Sequence, residues 1–95
     1  MKVLIVIPAY NEEESIGEVL SNLNQNYPEY DYVVINDCSK DGTENVLMKK
    51  KANYINLPVN LGIGGGIQTG YKYAKRYGYD IAIQMDGDGQ HPAEE

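Results

Sequence analysis

Residues 3–23 read VLIVIPAYNEEESIGEVLSNL, and this stretch predicts a buried strand followed by an amphipathic helix. Val3–Ile7 is a continuous apolar run rich in β-branched side chains, which is typical of a strand covered on both faces. Pro8 ends the strand, and Asn11 is predicted to cap the helix, with Glu14 in the capping-box position. Apolar residues then recur on one helix face: Ile16, Val19, Leu20 and Leu23.

The same order of elements repeats along the chain. Three further strands are predicted, at Tyr32–Ile35, Tyr54–Leu57 and Ile81–Ile83. A short helix is predicted from about Thr43, and a glycine-rich turn at residues 60–66 leads into a longer helix that Gly78 closes. One face of that longer helix is predicted to carry Ile67, Gly70, Tyr71 and Ala74. Alternating strands and helices with short links predict an α/β fold, a Rossmann-like three-layer arrangement of a parallel sheet with flanking helices.

Polar segments follow the predicted strands. In a parallel sheet all strands end at the same edge, which is where open α/β sheets bind their ligands. Residues 8–12, Asp37, Asn60 and Asp86 are therefore predicted to meet at one edge. This convergence predicts one site from segments that are distant in sequence.

Composition bounds the class of protein. The 95 residues allow one domain, and a net charge of -6, from 14 acidic and 8 basic residues, argues against a nucleic-acid binder. Cys38 is the single cysteine, and the apolar start is too short for a signal sequence or a membrane span, so a cytoplasmic chain is expected. Because residues 93–95 resemble the opening of another helix, we expect a truncated chain that self-associates through its exposed sheet edge.

Asp86 and Asp88 stand one residue apart just after the fourth predicted strand. Two carboxylates are suitable ligands for Mg²⁺ or Mn²⁺, although Asp-Gly-Asp-Gly is also a common turn sequence. An EF-hand loop counted from Asp37 fails, because its twelfth position is Met48. A phosphatase of the haloacid-dehalogenase type is a further alternative, but it places its Asp-x-Asp after the first strand.

Other candidates also have two interpretations. Asp37 is either a turn or cap residue or an acceptor for a base or ribose hydroxyl. Tyr10 is a candidate for packing against a base, and Glu12 for interacting with the helix N-terminus. The turn at residues 60–66 matches neither a Walker motif nor a dinucleotide fingerprint, so its glycines predict close backbone approach to a ligand or to a neighbouring strand.

Three segments taken together resemble a known family: IPAYNE at 7–12, NDCSKDGT at 36–43 and MDGDGQHP at 85–92. They resemble the N-terminal, nucleotide-sugar-binding half of a family 2 glycosyltransferase with the GT-A fold, over residues 1–95. Within that family the chain is most similar to polyprenyl-phosphate sugar transferases, including the dolichyl-phosphate mannose synthase group. Ile63 departs from that group, which often has Lys at this position.

The resemblance implies roles for individual residues. Four would line the nucleoside pocket: Pro8, Ala9, Tyr10 and Glu12. Asp37 would bind the base or ribose, Asp86 and Asp88 would bind Mg²⁺ or Mn²⁺, and Gln90 would be a further metal ligand. The implied donor is a UDP-sugar or a GDP-sugar, and the implied acceptor is a lipid phosphate or a glycan.

The resemblance also implies an inverting transfer in which the metal neutralises the departing nucleoside diphosphate. The acceptor site and any catalytic base would lie beyond residue 95, so this chain is expected to bind donor without turnover, at the cytoplasmic membrane face in the full-length protein. The alternative is an acidic α/β module for phosphotransfer or protein contact, resembling a response-regulator receiver. A receiver carries its acids after the first and third strands, whereas here they follow the second and fourth.

Overall fold

The computed structural model of the protein describes residues 1–86. Strands and helices alternate along the chain, as the sequence predicts. In order they are β1 (Val3–Ala9), α1 (Ile16–Asn26), β2 (Asp31–Asn36), α2 (Thr43–Lys49), β3 (Tyr54–Asn56), α3 (Gly62–Arg76) and β4 (Ile81–Gln84). No helix among residues 1–86 is both long enough and apolar enough to cross a membrane.

The four strands form one parallel sheet in the order β3-β2-β1-β4. The chain therefore moves outward from β1 to β3 and then crosses to the other side of β1 to form β4. This reversal creates a topological switch point between β1 and β4, and open α/β sheets bind ligands at the carboxyl end of such a point. The predicted α/β fold with a parallel sheet is confirmed.

Alternate side chains of β1 enter two different apolar clusters. Ile5 and Ile7 pack with the buried stripe of α1 and with Leu47 of α2 on one face of the sheet. Leu4 and Val6 pack with Ala74 of α3 on the other face. These four β1 side chains are at most 1% exposed, which explains the continuous apolar run in the sequence. The sheet thus lies between two helical layers.

The start of α1 differs from the prediction. The helix begins at Ile16 with Ser15 at the N-cap, and the predicted cap residue Asn11 lies outside it in a left-handed conformation with φ 54°. Asparagine tolerates this conformation, and the Asn11 side chain accepts a hydrogen bond from the Lys40 N–H, 2.9 Å away. A contact with the next loop has therefore replaced the local capping box that the sequence predicts.

The glycine-rich segment also differs from the prediction, since α3 begins at Gly62 and includes most of it. The residues of α3 that face the sheet are small: Gly66, Gly70 and Ala74 are buried, whereas Tyr71, which is predicted on the same face as Gly70, is 46% exposed. A Cβ atom added to Gly70 would lie 2.2 Å from Val6 Cγ1. At Gly70 the helix lies so close to β1 that a Cβ atom does not fit without a shift. A Cβ atom on Gly66 would make only ordinary contacts, at 3.6 Å or more.

Candidate functional site

The carboxyl edge of the sheet brings together the segments after β1, β2 and β4. Val6 pairs with Gln84 and Pro8 pairs with Ile35, so Pro8 lies between the ends of the two neighbouring strands. The Asp37 N–H donates to the Ala9 carbonyl at 2.9 Å, and the Met85 N–H donates to the Val6 carbonyl at 2.9 Å. The N–H of Leu61, the residue after Asn60, donates to Asp37 Oδ1 at 2.7 Å. The predicted convergence of residues 8–12, Asp37, Asn60 and Asp86 at one edge is therefore observed.

The segment after β1 is firmly attached to the loop after β2. The Asn11 N–H donates to Ser39 Oγ at 3.0 Å, and the Glu12 N–H donates to Thr43 Oγ1 at 2.9 Å. The Glu12 carbonyl in turn accepts from the Ile16 N–H at 2.9 Å and thereby supports the start of α1. Within this held segment Pro8 and Glu12 are half-buried, Ala9 is buried, and Tyr10 is 42% exposed. Tyr10 therefore presents part of its aromatic ring to solvent at this edge of the sheet.

Asp41 organises the start of α2 beside this segment. Its Oδ1 accepts hydrogen bonds from the Thr43 N–H at 3.0 Å and from the Thr43 hydroxyl at 2.5 Å, and its Oδ2 accepts from the Glu13 N–H at 3.3 Å. Burial alone would raise the pKa of Asp41, but these hydrogen bonds favour the charged form and hold its pKa below the ordinary value of 3.8. Asp41 is therefore negatively charged, and its hydrogen bonds to Thr43 and Glu13 stabilise the local fold at this edge of the sheet.

Asp37 is buried at the carboxyl edge of the sheet, directly after β2. The residue is only 4% exposed, and its two carboxylate oxygens accept backbone N–H groups at the start of α3. Leu61 N lies 2.7 Å from Oδ1 and Gly62 N lies 2.9 Å from Oδ2. The sequence left two interpretations of Asp37, a turn or cap residue and an acceptor for a base or ribose. The observed contacts are those of a helix cap, although Asp37 lies far from α3 in the sequence.

The acidic segment after β4 is described only in part. Asp86 is partly buried, and Gln84 Nε2 donates to its Oδ1 at 3.4 Å. The other predicted metal ligands, Asp88 and Gln90, lie outside the described residues. Among residues 1–86, no three or more His, Cys, Asp and Glu side chains are grouped so that they could hold a metal ion. The carboxylate of Asp86 fits one position in the oxygen ligand set of Mg²⁺ or Mn²⁺.

Sequence reasoning missed several polar residues that support this edge. Asn36 is 4% exposed, its Nδ2 donates to Asn56 Oδ1 at 2.9 Å, and its Oδ1 accepts from the Ser39 hydroxyl. Thr43 is fully buried and links Asp41 to Glu12 through its hydroxyl. The spacing Asp41-x-Thr43 at a helix start is a signal that could have identified the hydrogen bonds between Asp41 and Thr43.

An open depression of ≈ 400 Å³ lies beside the start of α1. Its lining is Asn11, Glu12, Glu13, Glu14, Ser15 and Asp41. Two unit charges about 4 Å apart near a protein surface interact by roughly 4 kcal/mol, so this acidic lining would repel a diphosphate. The depression is therefore an unsuitable place for the phosphates of a nucleotide.

Known proteins resemble the chain over nearly its whole length. The family model described as glycosyl transferase family 2 matches residues 4–95. The undecaprenyl-phosphate mannosyltransferase of Micrococcus luteus is 35% identical over 100 residues, covering 100% of this chain and 41% of the relative. The UDP-N-acetylglucosamine–dolichyl-phosphate N-acetylglucosaminyltransferase of Methanococcus voltae is 36% identical over 107 residues, covering 94% of this chain and 42% of the relative. The chain thus spans about two fifths of the length of these relatives.

Solved structures share the fold. S. aureus TarS 1–349 in complex with UDP matches with a TM-score of 0.80 and 28% identity, over 93% of this chain and 28% of that chain. The mannosyltransferase PcManGT from Pyrobaculum calidifontis, in complex with GDP-Man and Mn²⁺, has a TM-score of 0.81 at 23% identity, over 92% of this chain and 27% of that chain. The parallel sheet with flanking helices is therefore shared with these solved structures. On the strength of the family match and these relatives, the chain belongs to glycosyl transferase family 2.

Proposed function

We propose that this chain is the donor-binding part of a glycosyltransferase that transfers a sugar from a nucleoside-diphosphate sugar to an acceptor. The observation that carries the proposal is the meeting of residues 8–12, Asp37 and Asp86 at the switch point between β1 and β4. Open α/β sheets bind nucleotides at this position. Membership of family 2 favours this function over the receiver-like and haloacid-dehalogenase-like alternatives.

The segment after β1 has the properties of a nucleoside-binding surface. Its backbone is fixed by bonds to Ser39 and Thr43, so that Tyr10 is presented without the entropic cost of ordering a loose loop. We assign Pro8, Ala9, Tyr10 and Glu12 to the nucleoside side of the donor site. UDP is the ligand in the complex of the TarS relative, and this supports a nucleoside diphosphate as the ligand class.

A divalent cation, Mg²⁺ or Mn²⁺, is part of the proposal. The net charge of -6 makes unaided binding of a diphosphate unfavourable, and a cation bound by carboxylates would compensate for it. Asp86 would hold this cation together with Asp88, and Gln90 would supply a further oxygen. When bound, the cation supplies charge neutralisation at the diphosphate leaving group.

The proposed reaction is an inverting transfer to a polyprenyl phosphate. The relatives from Micrococcus luteus and Methanococcus voltae are named for undecaprenyl-phosphate and dolichyl-phosphate, and this supports a lipid phosphate as the acceptor. A phosphate oxygen is already ionised, so its attack on the anomeric carbon needs no general base. A lipid acceptor would require the protein to work at a membrane face.

The test is a calorimetric titration of the chain with UDP and with GDP, each in the presence of Mn²⁺ and in the presence of a chelator. We expect binding that depends on Mn²⁺ and that distinguishes the two bases. Asp88→Ala and Asp86→Asn should each lower the affinity by about tenfold or more, because loss of a charged partner is worth roughly 1.5–3 kcal/mol.

The matched control is Glu29→Gln, which removes one negative charge from an exposed residue between α1 and β2. This variant should bind nucleotide as the unmodified chain does. Equal affinity with Mn²⁺ and with chelator would exclude the metal part of the proposal. No binding of either nucleotide in Mn²⁺ would contradict donor binding by this chain.

Self-association is a further part of the proposal. Among residues 1–86, the edge strand β4 pairs only with β1, and Ile81 on this strand is 40% exposed. An unpaired strand edge with an exposed apolar side chain favours contact with a second copy. Size-exclusion chromatography with light scattering should detect dimers or larger species, and a monomer at all concentrations would contradict this part.

A further inference from the structure

Side chains of the loop after β2 accept three consecutive backbone N–H groups of the link between β1 and α1. Backbone groups outside helices and strands need other partners, because a buried N–H group without an acceptor costs free energy. The donors are the N–H groups of Asn11, Glu12 and Glu13, and their acceptors are Ser39 Oγ, Thr43 Oγ1 and Asp41 Oδ2, at 3.0, 2.9 and 3.3 Å in that order. The loop after β2 therefore fixes the backbone of the link.

Thr43 is the innermost of the three acceptors. It is fully buried, whereas Ser39 is half-buried and Asp41 is exposed. The Glu12 N–H donates to Thr43 Oγ1, and the Glu12 carbonyl accepts the Ile16 N–H at 2.9 Å at the start of α1. The backbone of Glu12 is thus held by α2 through its N–H group and by α1 through its carbonyl.

The direction of both hydrogen bonds at the Thr43 hydroxyl follows from its neighbours. A backbone N–H group can only donate, so the Thr43 oxygen accepts from Glu12. The Asp41 carboxylate is ionised at neutral pH and can only accept, so the Thr43 hydroxyl donates to it. Donation to a charged group polarises the hydroxyl and strengthens its oxygen as an acceptor. The pair of Asp41 and Thr43 therefore presents one oriented acceptor to the link.

We propose that Thr43 is a positioning residue of the donor site, whose buried hydroxyl, oriented by Asp41, holds the backbone of Glu12 and so fixes the segment 8–12. This inference rests on the proposed donor-binding function, which assigns Tyr10 and Glu12 to the nucleoside side of the site. Nucleotide binds only to the fraction of chains in which this segment is in place. A smaller fraction weakens the apparent affinity by the same factor.

The experiment separates the hydroxyl of Thr43 from its packing. Thr43→Val retains the volume and removes the hydroxyl, whereas Thr43→Ser retains the hydroxyl and removes a methyl group. The matched control is Thr69→Val, which removes a hydroxyl that donates to the Gly65 carbonyl at 2.9 Å within α3. UDP and GDP are titrated with Mn²⁺ at a temperature at which circular dichroism shows each variant to be folded. Amide hydrogen exchange and urea unfolding are measured on the same proteins without nucleotide.

For Thr43→Val we expect both nucleotides to bind about three- to tenfold more weakly, since a lost hydrogen bond to a buried donor is worth about that much. The Glu12 amide should exchange faster, and the Tyr10 amide resonance should shift. Thr43→Ser should bind both nucleotides as the unmodified chain does, even though loss of a buried methyl group lowers its stability. Thr69→Val should also retain the original affinities. Affinity would then follow the hydroxyl of Thr43 and not the stability of the fold.

Two results of the titrations would overturn the proposal. One is an unchanged affinity in folded Thr43→Val, because the hydroxyl would then contribute to stability alone. The other is equal weakening in Thr43→Val and Thr43→Ser, because packing and not the hydroxyl would then support the site.

Hydrogen exchange decides the remaining cases. If Thr43→Val does not fold, a Glu12 amide in the unmodified chain that exchanges as fast as that of exposed Val59 would overturn the proposal. If the unmodified chain binds neither nucleotide, the proposed function fails separately. The positioning role is then judged from exchange, and a Glu12 amide that Thr43→Val leaves unchanged would overturn it.

Discussion

Substitution of Gly70 by alanine tests the close packing of α3 on β1. The added Cβ atom would lie 2.2, 2.9 and 3.1 Å from the Cγ1, Cγ2 and Cβ atoms of Val6. Ordinary carbon contacts are about 3.5–4.0 Å, so the shortest distance must grow by roughly 1.3–1.8 Å. Val6 is fully buried and cannot turn into solvent, so we expect α3 to move away from the sheet.

Two opposing terms set the size of the effect. Alanine in place of glycine favours a helix interior by about 0.8–1 kcal/mol, whereas overpacking a core costs about 1–3 kcal/mol. Because the contact at Gly70 is so short, we take the upper end of the second range and expect a net loss of about 2 kcal/mol. For a domain of this size that corresponds to a decrease in Tm of roughly 8–16 °C.

The assay is thermal and urea unfolding followed by far-ultraviolet circular dichroism. Gly64→Ala on the same helix is the matched control, because a Cβ atom there meets nothing within 4 Å. This control should leave stability unchanged or raise it by up to about 1 kcal/mol. Adding Val6→Ala to Gly70→Ala should recover about 1 kcal/mol or more relative to the sum of the single effects. A Gly70→Ala chain that unfolds at or above the original Tm would refute the packing argument.

Three further predictions concern single residues. Gly78 has φ +76° with open space around it, so Gly78→Ala should lower the free energy of unfolding by about 1 kcal/mol from backbone strain alone, and no loss in urea unfolding would contradict this. The pKa of Asp41 in the folded protein lies below 3.8. The stability that its carboxylate contributes is therefore fully present above pH 3.8 and is lost as the pH falls through the folded pKa. Asp41→Asn should therefore make stability less sensitive to acid, and an unchanged profile of urea midpoint against pH would exclude the assigned role. Burial and the hydrogen bond to Asp31 raise the pKa of Tyr79 from 10.0 to about 12, so its contribution is present below pH 10 and is lost as the pH rises towards 12. Tyr79→Phe should remove one phenolate that forms near pH 12 from the absorbance titration. Loss of a phenolate that forms near pH 10 instead would argue against the hydrogen bond to Asp31.

The sequence determined the order of elements and the edge that carries the site. Apolar periodicity predicts the strands and the stripe on α1, because burial on one or two faces leaves a local pattern. Short links between strands and helices then require parallel strands, so the segments after β1, β2 and β4 had to meet. The motifs in those segments were also sufficient to indicate the family.

The tertiary structure alone decided which partners the polar side chains take. Asn11 lies 29 residues from the Lys40 N–H that it accepts, and Asp37 lies 24 residues from the Leu61 N–H. In the sequence, Asn11 and Glu14 match a local capping box. No neighbouring residue indicates that the Asn11 side chain instead accepts the Lys40 N–H from another loop. The same holds for Gly70, whose importance comes from how close α3 lies to Val6 of β1. Such contacts depend on distances between elements, and these are fixed only when the whole sheet and its helices pack together.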